Sequence, residues 1–165
     1  LAVLVPSAIK DSSDSEKKVS SRLLQPRGWT GAKVETDAGT TLAFFRTGPS
    51  GGTTVEGFTT DAERFAVETG NDGAIRKIFM RGTEFAADGF SLRSGSPLAI
   101  SITMTERESE IEADSEKAAQ VSLRLAKTPA EVTINGTPVK KINYAKQTRE
   151  LKLTLQAGHT LVNVK

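Results

Sequence analysis

Apolar and polar residues alternate along most of this chain. Thr41-Leu42-Ala43-Phe44-Phe45-Arg46, Arg64-Phe65-Ala66-Val67-Glu68 and Ala74-Ile75-Arg76-Lys77-Ile78-Phe79-Met80 follow the period of two expected of half-buried strands. Pro97 to Met104, Gln120 to Leu125 and Glu150 to Leu155 do the same more cleanly, with apolar side chains on one face and polar ones opposite. Gly48-Pro49-Ser50-Gly51-Gly52 and Gly70-Asn71-Asp72-Gly73 separate successive runs with residues that tolerate positive φ, the chemistry of hairpin turns. Glu131-Val132-Thr133-Ile134-Asn135-Gly136-Thr137-Pro138-Val139 reads as strand, Asn-Gly turn, strand, and Thr160 to Val164 as a last strand. Only Ser115 to Ala119 leans toward helix, too briefly to be stable alone. The pattern predicts an all-β fold, an antiparallel β-sandwich over residues 1–165. The turn cluster Arg93-Ser94-Gly95-Ser96-Pro97 suggests a sub-boundary near 94–97, dividing a larger sheet region (1–93) from a small terminal one (98–165).

Ser7 to Lys18 is Ser-rich and charged and reads as an exposed loop. The strand-like opening Leu1-Ala2-Val3-Leu4-Val5 has neither an initiator Met nor the flanks of a secretory signal, so the natural polypeptide is expected to extend upstream. At five residues, this longest apolar run falls far short of the roughly 18 to 20 that a membrane-spanning helix needs.

Composition removes most catalytic templates. There is no Cys and a single His, which excludes disulfides, thiolate metal sites, cysteine nucleophiles and most imidazole chemistry. The formal net charge of +2 is too small to argue for a nucleic-acid partner. The candidates that remain are few. Trp29, the only tryptophan, is either an exposed platform for a sugar ring or a plug at the end of the sandwich. Lys140, Lys141, Lys146 and Arg149 belong to a basic terminal stretch that either attracts an anionic polysaccharide or keeps an outer face soluble. Glu106, Glu108, Glu110, Glu112, Asp114 and Glu116 recur at every second position. They could face a hard cation, but are expected to keep an exposed face or edge soluble and block edge-to-edge pairing, with a hairpin near Arg107 to Ser109. His159 and Tyr144 are expected in a turn and at a strand end, without catalytic partners. No catalytic or metal-binding residue and no cofactor is therefore assigned.

Three stretches carry a family resemblance: Leu1 to Pro6; Gly28-Trp29-Thr30-Gly31-Ala32-Lys33-Val34-Glu35 leading to Thr41 to Arg46; and Val132 to Val139 with Leu151 to His159. Together they resemble the C-terminal β-sandwich region of heparinase II/III-like polysaccharide lyases, a group that includes many alginate lyases. The resemblance implies an upstream (α/α) toroid catalytic domain in the same polypeptide, β-elimination at a uronic-acid residue by a Tyr and a His, and a bacterial, periplasmic or secreted setting. Some members hold a structural zinc, but this chain has no second His for it. The expectation is a non-catalytic portion of such a lyase. The alternatives are a free-standing carbohydrate-binding β-sandwich and a purely structural module.

Overall fold

The computed structural model describes residues 19–87, 90–125 and 127–165. The Ser7 to Lys18 loop and the Leu1 to Val5 strand lie outside these residues. Within them the chain is all β and every strand pairing is antiparallel, as the alternation predicts. One layer starts with β1 (Ser20–Leu24), β2 (Trp29–Thr36), β3 (Gly39–Arg46) and β6 (Arg64–Gly70). The connection between β3 and β6 leaves this layer to form the short hairpin of β4 (Thr53–Val55) and β5 (Phe58–Thr60). The Gly48 to Gly52 stretch is thus a crossing between layers, whereas Gly70 to Gly73 is the hairpin turn the sequence implied.

Two long strands join the layers. β7 (Ile75–Ala87) pairs with β6 through its first half and with β5 through its second. β8 (Phe90–Met104) runs beside β7 along its whole length. Beyond β8 the first layer continues through β9 (Ser109–Ser115), β15 (Gly158–Val164), β11 (Val132–Ile134) and β12 (Thr137–Pro138). The first half of β8 instead carries β10 (Ala119–Arg124), then β14 (Glu150–Leu155) and β13 (Asn143–Ala145).

The residues from Arg93 to Pro97 separate no domains. They sit inside β8, where pairing jumps from Glu84↔Arg93 to Gly82↔Leu98. The Gly, Ser and Pro residues mark the corner at which a strand passes from one layer to the other, as bulges do in sandwiches. On β7 the matching corner is held by Asp61. Its Oδ1 accepts the backbone N–H of Thr83 and of Glu84, each at 2.8 Å, and Oδ2 accepts the Thr83 hydroxyl. Gly82 is required there, because a Cβ would come within 2.7 Å of the Ala62 backbone. Burial opposes ionisation of Asp61, but the hydrogen bonds from the Thr83 hydroxyl and from the Glu84 and Thr83 amides outweigh it and hold the carboxyl below its usual range.

The core lies between the layers as one continuous cluster. Phe65 of β6 meets Phe58 of β5 at 5.8 Å between ring centroids and Phe85 of β7 at 5.7 Å, spacings at which aromatic edges and faces attract. Alternation places Ile111 and Ala113 of β9, Val121 and Leu123 of β10, and Leu151 and Leu153 of β14 in the same interior. The Asn135-Gly136 hairpin forms as predicted, both residues at positive φ (50° and 76°) between β11 and β12.

Candidate functional site

Trp29 opens β2 and points into the sandwich, 3% exposed. Its ring meets Phe44 and Phe65 edge-on, its Nε1–H donates to the Thr53 hydroxyl at 3.1 Å, and the Arg46 guanidinium caps it. Stacking a pyranose needs an open indole face, and this one has none. Of the two roles open to Trp29, the exposed platform is set aside and the plug is what the packing realises.

The four basic candidates do share a neighbourhood. β13 is an edge strand, paired only to β14. Lys140 and Lys141 precede it, while Lys146 and Arg149 occupy the β13–β14 turn, where Arg149 takes a positive φ of 57°. All four are exposed, and among the described residues none is ion-paired. Cations at both ends of a three-residue edge strand block edge-to-edge pairing and also create a small positive field.

Tyr144 lies on β13, half-buried against the core, whereas His159 lies on β15 in the other layer. The two groups with acid/base potential are therefore not brought together. His159 is not in a turn; it sits in β15 opposite Asp114, with Nδ1 and the carboxylate 3.2 Å apart. That pair is invisible in the sequence, since 45 residues separate its members. It is exposed and has no nucleophile or further base beside it in the register, so it reads as a cross-strand hydrogen-bonded pair.

The acidic series follows the expected hairpin and exposed face, but it guards no edge, because β9 is paired to β8 on one side and β15 on the other. The Thr105 hydroxyl accepts from the N–H of Glu108 and Thr105 N–H donates to the Glu108 carbonyl, closing the β8–β9 hairpin around Glu106. Glu110, Glu112 and Asp114 then line the exposed face of β9, alternating with buried Ile111, Ala113 and Ser115. Among the described residues no cluster of three or more His, Asp and Glu is arranged to hold a metal ion.

A cleft of about 760 Å³ opens at the end of the sandwich. Phe58, Phe90 and Leu125 contribute its apolar wall, and Arg107, Arg124 and Lys127 contribute cations. Lys127 is engaged, its Nζ donating to the Glu106 carbonyl at 3.0 Å. The same cleft carries Glu56, Glu106 and Glu108, so its charge is mixed and selects neither sign of ligand.

The outer face of the first layer carries a feature the sequence reading missed. Cross-strand register places Leu23, Ala32, Ala43, Ala66 and Phe79 side by side on β1, β2, β3, β6 and β7. Leu23 and Phe79 are 56% and 39% exposed, and Phe45 in the next row is 46% exposed. The signal was present in Leu23-Leu24, Phe44-Phe45 and Ile78-Phe79-Met80. Consecutive large apolar residues in a strand put one of them on each face.

No protein-family sequence model matches this chain, and comparison with curated proteins gives no significant match.

Proposed function

We propose that this chain is the non-catalytic β-sandwich portion of a heparinase II/III-like polysaccharide lyase that acts on uronic-acid polysaccharide by β-elimination, outside the cytoplasm. On this reading the outer face of the first layer packs against the catalytic toroid of the same polypeptide. The observation that carries it is the apolar row from Leu23 to Phe79, exposed at both ends with Phe45 exposed beside it: the outer face of a sandwich is ordinarily wet and polar, and an apolar row marks a place where something docks. The separation of Tyr144 and His159 supports a non-catalytic role, because β-elimination needs a base and an acid on one substrate.

Two measurements test it. The chain alone, incubated with alginate, heparin or hyaluronate, is expected to release no unsaturated uronate absorbance; turnover would overthrow the non-catalytic assignment. The coding sequence upstream of Leu1 is expected to encode several hundred residues of helical pattern, and a short linker or none would sink the lyase reading. A free-standing carbohydrate-binding module is the second reading, favoured by the cations around β13 that have no ion-pair partner among the described residues. It predicts saturable binding of alginate oligosaccharides by the isolated chain.

A further inference from the structure

We propose that the seat on the outer face of the first layer is built for one amphipathic α-helix, with its apolar ridge along the Leu23 to Phe79 row and its carboxylates against Arg64 and Arg81. This inference rests on the docking reading above and specifies the partner's chemistry.

The shape of the strip comes first. Leu23 and Phe79 are four inter-strand steps apart, about 19 Å at the usual strand spacing. Between them lie three alanines, Ala43 and Ala66 half-buried and Ala32 buried, so the two larger side chains stand above this floor as end walls and a partner would reach it chiefly at Ala43 and Ala66. Along the strand direction the strip is narrow. Over β6 and β7 it is flanked on one side by Arg64 and Arg81 and on the other by Glu68 and Lys77, which pair with each other at 3.6 Å. A second sheet packed here would bury those charged rows, because its inner face spans several rows of side chains. A single helix, 10–12 Å across, can rest one ridge on the alanines and keep its flanks at the charged rows; about 13 residues would cover the row.

The charges then choose the sign of the partner. Arg64 and Arg81 are directly opposite each other on β6 and β7, an arrangement that repels. Arg81 has Glu63 at 3.6 Å, but Arg64 has no ion-pair partner among the described residues. Phe45 lies beside Arg64 on β3 and extends the apolar surface toward the two cations. A carboxylate on the helix flank would relieve the repulsion while a neighbouring apolar residue covers Phe45.

The probes are two fluorescently labelled 15-residue helical peptides with the same Leu/Ala ridge, one flanked by Glu and the other by Lys, titrated into the whole chain at low salt. The Glu-flanked peptide is expected to bind at least tenfold more tightly. Ala43→Arg should weaken it tenfold or more without changing the circular dichroism spectrum, and Arg64→Glu should reverse the preference. Equal binding of the two peptides, or indifference to Ala43→Arg, would overturn the proposal, as would self-association that saturates the face. Peptide binding that appears only in Leu4→Asp would also overturn it, assigning the seat to the chain's own first residues. Binding of an anilinonaphthalene dye, abolished by Phe79→Lys, separates the two levels: dye without peptide binding rejects the helix alone, and no dye binding rejects the docking face itself.

Discussion

The Arg46 guanidinium lies over the Trp29 ring, 4.4 Å from its centroid. It is fixed there by the carbonyls of Ala62 (2.9 Å), Pro49 (3.0 Å) and Thr60 (3.2 Å), so cation and ring act as one lid over the aromatic cluster. Tryptophan emission is accordingly expected to be blue-shifted and unchanged by alginate or heparin oligosaccharides. Trp29→Ala should cost about 3–5 kcal/mol of stability, the usual range for emptying a large aromatic site. A red-shifted emission that responds to sugar would show that the lid opens.

Asp61 gives the fold an acid-sensitive corner. Its carboxyl titrates below the ordinary range in the folded chain, so the unfolded chain binds the proton more readily. The contribution is fully present above the unfolded value, near pH 4, and fades as pH falls through the folded one. Asp61→Ala should cost about 2 kcal/mol at neutral pH, since two backbone amides and a hydroxyl lose a charged acceptor. Urea titrations at successive pH values should show a shallower acid loss in Asp61→Asn than in the parent; identical slopes would remove Asp61 from the account.

Gly31 faces Phe44 across β2 and β3, and a Cβ there would overlap both the Phe44 ring and the Ala43 carbonyl oxygen. Its φ does not demand glycine at this position; the close approach of the Ala43 carbonyl and of the Phe44 ring does. Gly31→Ala is expected to destabilise by roughly 1–3 kcal/mol, the range for overpacking a tight core. The double variant Gly31→Ala/Phe44→Leu should lose less than the sum of the two single variants but not return to the parent, because the Ala43 carbonyl stays in place; strictly additive losses would refute the clash with the ring.

Lys140, Lys141, Lys146 and Arg149 should retain the chain weakly on a heparin column at low salt and release it as the Debye length shrinks toward about 3 Å near 1 M. Replacing all four with Gln should abolish retention and leave the melting temperature nearly unchanged, because none of them packs in the core. Undiminished retention would move the anion-binding surface elsewhere.

Strand identity was legible because alternation is a local property: Arg64 to Glu68, Gln120 to Leu125 and Glu150 to Leu155 each reveal their faces within six residues. Pairing was not. Gly48 to Gly52 has the composition of a hairpin turn, yet β3 pairs with β6, since β4 and β5 join the second layer and bury Val55 and Phe58 in the core between the layers. Gly95 and Pro97 have the composition of a break between regions, whereas a strand long enough to serve both layers must bend somewhere and those residues permit it. At the candidate site, clustering of the four cations follows from their closeness in the chain. The Asp114–His159 pair and the Leu23 to Phe79 row come from register across distant strands, which no local window contains.

Because β7 and β8 each give one half to either layer, neither layer has a complete set of backbone partners without the other. Removing the second layer would strip the outer halves of both strands of β5 and β10 and expose Phe58, Phe65 and Phe85 together. The molecule consequently has no seam along which to melt in stages. Amide protons from β6 to β10 should exchange with solvent at one common, slow rate set by global opening, while those of the outlying β1 and β13 exchange earlier. Cleaving the chain at Gly95 would not release two folded halves; it would cut the one hairpin that both layers share.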